Sequence, residues 1–118
     1  MTLLVSSGQS GTVLEYNATT GAFIKEAASG GALQHPVGVV IGLDGNLLVV
    51  DIQTNQVKRY NRTTGAFIDV FASTVTSPQG MTIHGGALYV ANFYPPHQSI
   101  QRFDATTGAN TGQFVASP

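Results

Sequence analysis

The chain has no cysteine and no tryptophan, and only 9% of its 118 residues are charged, against about 25% in an average soluble domain. Without cysteine there is neither a disulfide framework nor a thiolate metal site, although this alone does not fix the compartment. Five basic and six acidic side chains are scattered along the sequence and leave a net charge of −1. No basic patch is there to hold phosphates, so nucleic acid is not an expected partner. No apolar run approaches the roughly 18 residues of a membrane-spanning helix, and no charged leader with an apolar core precedes Leu3, so a membrane is not expected either. The helical period is missing as well. At this length the chain is one domain at most, with a modest core.

What is present is a repeat. Tyr16-Asn17-Ala18-Thr19-Thr20-Gly21-Ala22 returns as Tyr60-Asn61-Arg62-Thr63-Thr64-Gly65-Ala66 and as Phe103-Asp104-Ala105-Thr106-Thr107-Gly108-Ala109, with the glycines 44 and 43 residues apart. Leu3, Leu47 and Leu88 align, as do Val5, Val49 and Val90, and Pro36-Val37-Gly38 aligns with Pro78-Gln79-Gly80. Such a period is typical of arrays of small antiparallel sheets.

Each unit reads as four short strands, because β-branched and aromatic runs of four to six residues are bounded by Gly, Asn, Asp, Ser and Pro. The inner strands are Val39 to Ile41 and Met81 to Ile83. The second are Leu3 to Ser6, Leu47 to Val50 and Leu88 to Ala91. The third are Val13 to Tyr16, Val57 to Tyr60 and Ile100 to Phe103, and the outer ones are Phe23 to Lys25, Phe67 to Phe71 and Gln113 to Val115. In Val57-Lys58-Arg59-Tyr60 and Ile100-Gln101-Arg102-Phe103 apolar ends flank a polar centre, as in a half-buried strand. In the Asn/Asp-x-Thr-Thr-Gly turns the Asn or Asp bonds its own backbone two residues on and glycine supplies a positive φ.

The expected fold is therefore all-β, a β-propeller segment of about three four-stranded antiparallel blades, with two inner strands and three of each other kind. The units run approximately 1–35, which lacks its inner strand, 36–77 and 78–118. Propellers close with about four to eight blades, so the expected partner is a second copy, in a dimer forming a six-bladed ring or in a stacked assembly, or else the remainder of a longer chain.

Pro36-x-Gly38, six residues and Gly45, then Leu47-x-Val49-x-Asp51, Asn55, and Tyr60-Asn61-x-Thr63-Thr64-Gly65-Ala66-Phe67-Ile68 resemble the NHL-type blades of bacterial six-bladed propellers, including streptogramin lyase-like repeat proteins. The likeness covers essentially the whole chain. It implies architecture and leaves activity open, because such blades serve many unrelated roles. Streptogramin lyase-like enzymes carry a His and Glu cluster with a divalent metal near the ring centre, but no glutamate accompanies His35 or His97 here, so no metal and no cofactor is expected. The resemblance and the Thr, Ser, Gly and Asn content lean towards export, with any leader lost along with the missing part of the first unit.

Three histidines are the natural place to look for metal or acid–base chemistry. A meander sends His84 to one face of the ring and His35 and His97 to the other, so these read as surface or turn residues. Asp51 ends a second strand where Ser7 and Asn92 stand in the sister units, a place for bonding turn amides. No Ser or Asp finds a triad partner by spacing.

From second to third strand the third unit runs Asn92 to Ile100, two residues longer than its sisters, and is filled by Phe93-Tyr94-Pro95-Pro96-His97. It reads as a stiff aromatic loop, making His35, Phe93, Tyr94 and His97 the ligand-binding candidates. Asn17-Ala18-Thr19 and Asn61-Arg62-Thr63 match the N-glycosylation pattern, although turn chemistry already accounts for both asparagines. In the third unit Asn110-Thr111 replaces Phe23-Ile24 and Phe67-Ile68, which predicts a short, polar last outer strand.

The functional expectation is a non-catalytic propeller scaffold or binding module. A metal-dependent lyase or lactonase of the six-bladed type and a structural repeat of an extracellular fibre are the alternatives.

Overall fold

The computed structural model describes residues 1–73, 75–94 and 97–115 and, among these, the side chains of all but Tyr94, His97 and Val115. The described residues form eleven strands and no helix: β1 (Thr2–Ser7), β2 (Thr12–Asn17), β3 (Phe23–Ala28), β4 (Pro36–Ile41), β5 (Leu47–Asp51), β6 (Gln56–Tyr60), β7 (Phe67–Ala72), β8 (Pro78–His84), β9 (Ala87–Tyr94), β10 (His97–Asp104) and β11 (Asn110–Val115). They make three antiparallel meanders, β1-β2-β3, β4-β5-β6-β7 and β8-β9-β10-β11. This is a segment of a β-propeller, and the three sheets are called here blades 1, 2 and 3.

The repeat extends to irregularities of register. In all three blades the outer strand bulges twice: Glu15 faces Lys25 while Tyr16 faces Phe23, Arg59 faces Asp69 while Tyr60 faces Phe67, and Arg102 faces Gly112 while Phe103 faces Asn110. Two bulges at the same places in each sheet give the outer strand the extra bend and twist that a blade needs. The last outer strand is six residues long, like β3 and β7, so the expectation of a shortened edge is corrected: ladder bonds between backbones form whether or not the apolar anchors are kept.

Strand alternation divides the core into two seams. On β5, Leu47 and Val49 turn towards blade 1 and pack with Val13, Ala27, Ala28 and Tyr60. Leu48 and Val50 turn the other way, into a cluster with Val57, Phe71, Leu88, Val90 and Phe103 between blades 2 and 3. β5 is buried on both faces because side chains at successive positions serve opposite seams. The inner strands approach each other closely where Gly38 lies near Gly80: a Cβ on Gly38 would stand 3.9 Å from the Gly80 Cα.

Candidate functional site

Asp51 closes β5 and sits, fully buried, at the blade 1–blade 2 seam. Its carboxylate accepts the amides of Gln34 at 2.9 Å, His35 at 3.0 Å and Gln53 at 3.0 Å, and the Lys58 ammonium at 2.9 Å. Burial pushes the carboxyl up, but the Gln34 amide, Lys58 and the His35 amide outweigh it and bring it down to about 2. Asn92 does a lesser version of the same work in blade 3, accepting the Thr76 amide at 3.1 Å. Asp51 thus bonds a nearby turn amide, that of Gln53, as the sequence suggested, and also ties the inter-blade connection to the strand end, with all four bonds of its carboxylate taken up within the protein.

His35 precedes β4 and is exposed, yet its ring covers Gly8 of blade 1: a Cβ there would lie 2.8 Å from the imidazole Nε2. His84 ends β8, at the opposite end of the inner strands. The two described histidine rings therefore do not converge, and among the described residues no group of three His, Cys, Asp or Glu side chains is placed to hold a metal ion.

The insertion in blade 3 is a hairpin extension rather than a loop. Phe93 pairs with Gln98 and Tyr94 with His97, so β9 and β10 are each longer than their counterparts. Pro95 and Pro96 and the side chains of Tyr94 and His97 lie outside the described residues. Phe93 is exposed, and its amide bonds the Ser77 carbonyl at 3.1 Å. His35 stands at the seam of blades 1 and 2 and Phe93 on blade 3, at the same end of the strands.

Sequence reasoning missed the polar chemistry of the seams. At the first, Arg62 from the blade 2 turn reaches Glu15 on β2 with two bonds of 3.2 and 3.0 Å, and Lys25 Nζ bonds the Thr63 carbonyl at 2.7 Å. Arg62 holds the Glu15 carboxyl below its usual value against the opposing effect of burial. At the second seam the corresponding positions are Ala105 and Arg59. Arg59 turns to its own blade, bonding Asp69 twice, at 3.0 and 2.6 Å, and Asp44 at 3.1 Å, with the guanidinium over the Phe71 ring. Beside Ala105, which stands where the first seam has Arg62, the second seam has a cavity of about 240 Å³ lined by Leu43, Asp44, Arg59, Phe71 and Ala105. The signal in the sequence was the exchange of Arg62 for Ala105 within turns that otherwise differ only in Tyr60 for Phe103 and Asn61 for Asp104.

The two acceptor asparagines are tied into their turns through oxygen. Asn17 Oδ1 accepts the amides of Thr19 and Thr20 at 2.8 and 2.9 Å, and Asn61 Oδ1 those of Thr63 and Thr64 at 2.9 Å each. Asp104 makes the same pair of bonds in blade 3. The turn uses only an oxygen of the residue, and the amide nitrogen that a glycan would occupy has no part in it.

No protein-family model matches the chain, and no curated protein matches it at a significant level. Solved structures do. Hydrazine synthase from Kuenenia stuttgartiensis superposes with a TM-score of 0.79 at 21% identity, over 95% of this chain and 32% of that one. A functionally unknown protein from Desulfotomaculum acetoxidans gives 0.63 at 17% identity, over 94% and 37%, and puromycin hydrolase gives 0.62 at 15%, over 99% and 19%. This chain spans less than two fifths of the length of each of these structures. Hydrazine synthase and puromycin hydrolase are β-propeller proteins, and at these identities the likeness concerns the fold alone.

Proposed function

We propose that the chain is a module of NHL-type propeller blades that works without catalysis, as a scaffold or binding element presenting blade faces and turns to a partner. The observation that carries this reading is where the charged groups go. Asp51 is saturated by three amides and Lys58, Glu15 by Arg62, and Asp44 and Asp69 by Arg59. Groups so engaged hold turns and seams together; a general acid or base needs an unshared position facing a substrate. The NHL assignment rests on the motif spacing, and an extracellular setting, part of the same proposal, on the composition and that resemblance.

Thermal unfolding with and without millimolar divalent cations tests the reading. No change in midpoint is expected with magnesium, manganese or zinc. A stabilisation abolished by His35→Ala or His97→Ala would replace the module with a metal-dependent lyase or lactonase.

A further inference from the structure

At the two ends of the stack, residues at seam positions are left partly exposed, with no further blade over them among the described residues. Leu47 and Val49 are fully buried against blade 1, whereas Leu3 and Val5, at the same repeat positions of blade 1, are 54% and 44% exposed. At the other end Phe71 is 8% exposed beneath blade 3, and its counterpart Phe114 is 54% exposed. Beside Phe114 runs an open groove of about 250 Å³ lined by Tyr89, Ala91 and Ile100, whose counterparts Leu48, Val50 and Val57 are buried in the second seam. The blade 1 face is a seam's following half and the blade 3 face its preceding half.

The turn glycines make the same distinction independently. A Cβ on Gly65 would stand 2.9 Å from the Ala27 carbonyl of the blade before it, and one on Gly108 would strike the Phe71 carbonyl. Each turn thus nests on the outer strand of the preceding blade. Gly21 has the same φ as Gly65, +76°, but meets nothing within 4 Å. The residue that corresponds to Ala27 and Phe71 at the free end is Phe114.

The residues at the turn position admit a second copy. The second seam sets Arg59 beside an alanine, Ala105. At the free end the counterpart of Arg59 is Arg102, and the turn residue that would come opposite in another copy is Ala18. Arg102 lies over the Phe114 ring, as Arg59 lies over Phe71. An arginine at position 18, as at 62, would meet Arg102 with like charge; Ala18 reproduces the combination of the second seam.

We propose that the blade 1 face of one copy docks on the blade 3 face of a second copy of this chain, with the Gly21 turn seated on the Phe114 strand. Such a contact is heterologous and needs to close. Two copies contribute six sheets, within the range of about four to eight over which propellers close, through two identical seams. This deepens the module reading above and rests on it.

Light scattering coupled to size-exclusion chromatography on the 118-residue chain, with circular dichroism of the same fractions, tests the proposal. A strand-rich species of twice the chain mass is expected. Gly21→Asn, which keeps a residue tolerant of positive φ, and Phe114→Glu should each weaken association by about tenfold or more. An equimolar mixture of the two variants, which regenerates one intact seam, should recover dimer that neither forms alone. A folded monomer, an unfolded chain or an open-ended polymer overturns the proposal, as does a mixture that stays monomeric. A folded monomer would leave the module reading standing, while a metal response would remove that reading and leave the seam.

Discussion

Lys58 Nζ stands 2.9 Å from Asp51 Oδ2, and both side chains are closed off from solvent. Lys58 also donates to the Ala32 carbonyl at 2.9 Å, so the pair fastens a strand of blade 2 to the connection arriving from blade 1. Removing one member of a buried pair leaves an uncompensated charge and costs about 3–5 kcal/mol. Lys58→Met is expected to fall in that range in urea denaturation. Asp51→Ala should cost more, because it strands three amides as well as the ammonium.

The same carboxylate sets an acid limit on the fold. Its pKa falls from 3.8 unfolded to about 2 folded, so its contribution is complete above about pH 4 and disappears as pH drops through the folded value. A shift of this size corresponds to about 2 kcal/mol. Denaturation midpoints are expected to decline between about pH 4 and pH 2, and Asp51→Asn should flatten that part of the profile. A wild-type decline confined to higher pH would assign acid sensitivity to other groups.

Turns and strand order were legible because they are local: Asn17, Asn61 and Asp104 announce their turns within three residues, and the β-branched runs between them fix the ladder. The hairpin at Phe93 was not, because Pro95-Pro96 suggests a loop while pairing of Tyr94 with His97 depends on how far β9 and β10 stay in register. The seam chemistry was harder still. Glu15 and Arg62 are 47 residues apart, and nothing in either neighbourhood says that one faces the other until two sheets are stacked. His35 drew attention as a potential ligand; its position over Gly8 is visible only once blades 1 and 2 are in contact.

The Glu15–Arg62 pair offers a measure of how strongly blades 1 and 2 are coupled. Glu15 is buried and Arg62 about one-third exposed, with two bonds joining them. A double-mutant cycle of Glu15→Gln and Arg62→Met should return a coupling of about 1–2 kcal/mol, reduced in high salt. Arg62→Met alone should destabilise more than Arg59→Met, since Glu15 would remain buried while Asp44 and Asp69 face solvent. The opposite order would mean that the Arg59 cluster, with its stacking on Phe71, carries more of the second seam than its exposure suggests.

Replacing the turn asparagine separates the role of its oxygen from that of its nitrogen. Asn61 Oδ1 takes two amides, and Asp104 makes the same bonds with a carboxylate oxygen. Asn61→Asp should therefore change stability by less than about 0.5 kcal/mol, whereas Asn61→Ala, which leaves both amides to water, should cost about 1 kcal/mol. Gly65, whose φ is +76°, is left in place by both substitutions, so the turn itself is expected to persist and the difference to report the two hydrogen bonds. Equal losses in the two variants would show that the amide nitrogen also contributes, and a glycan on that nitrogen would then disturb a turn that it otherwise leaves intact.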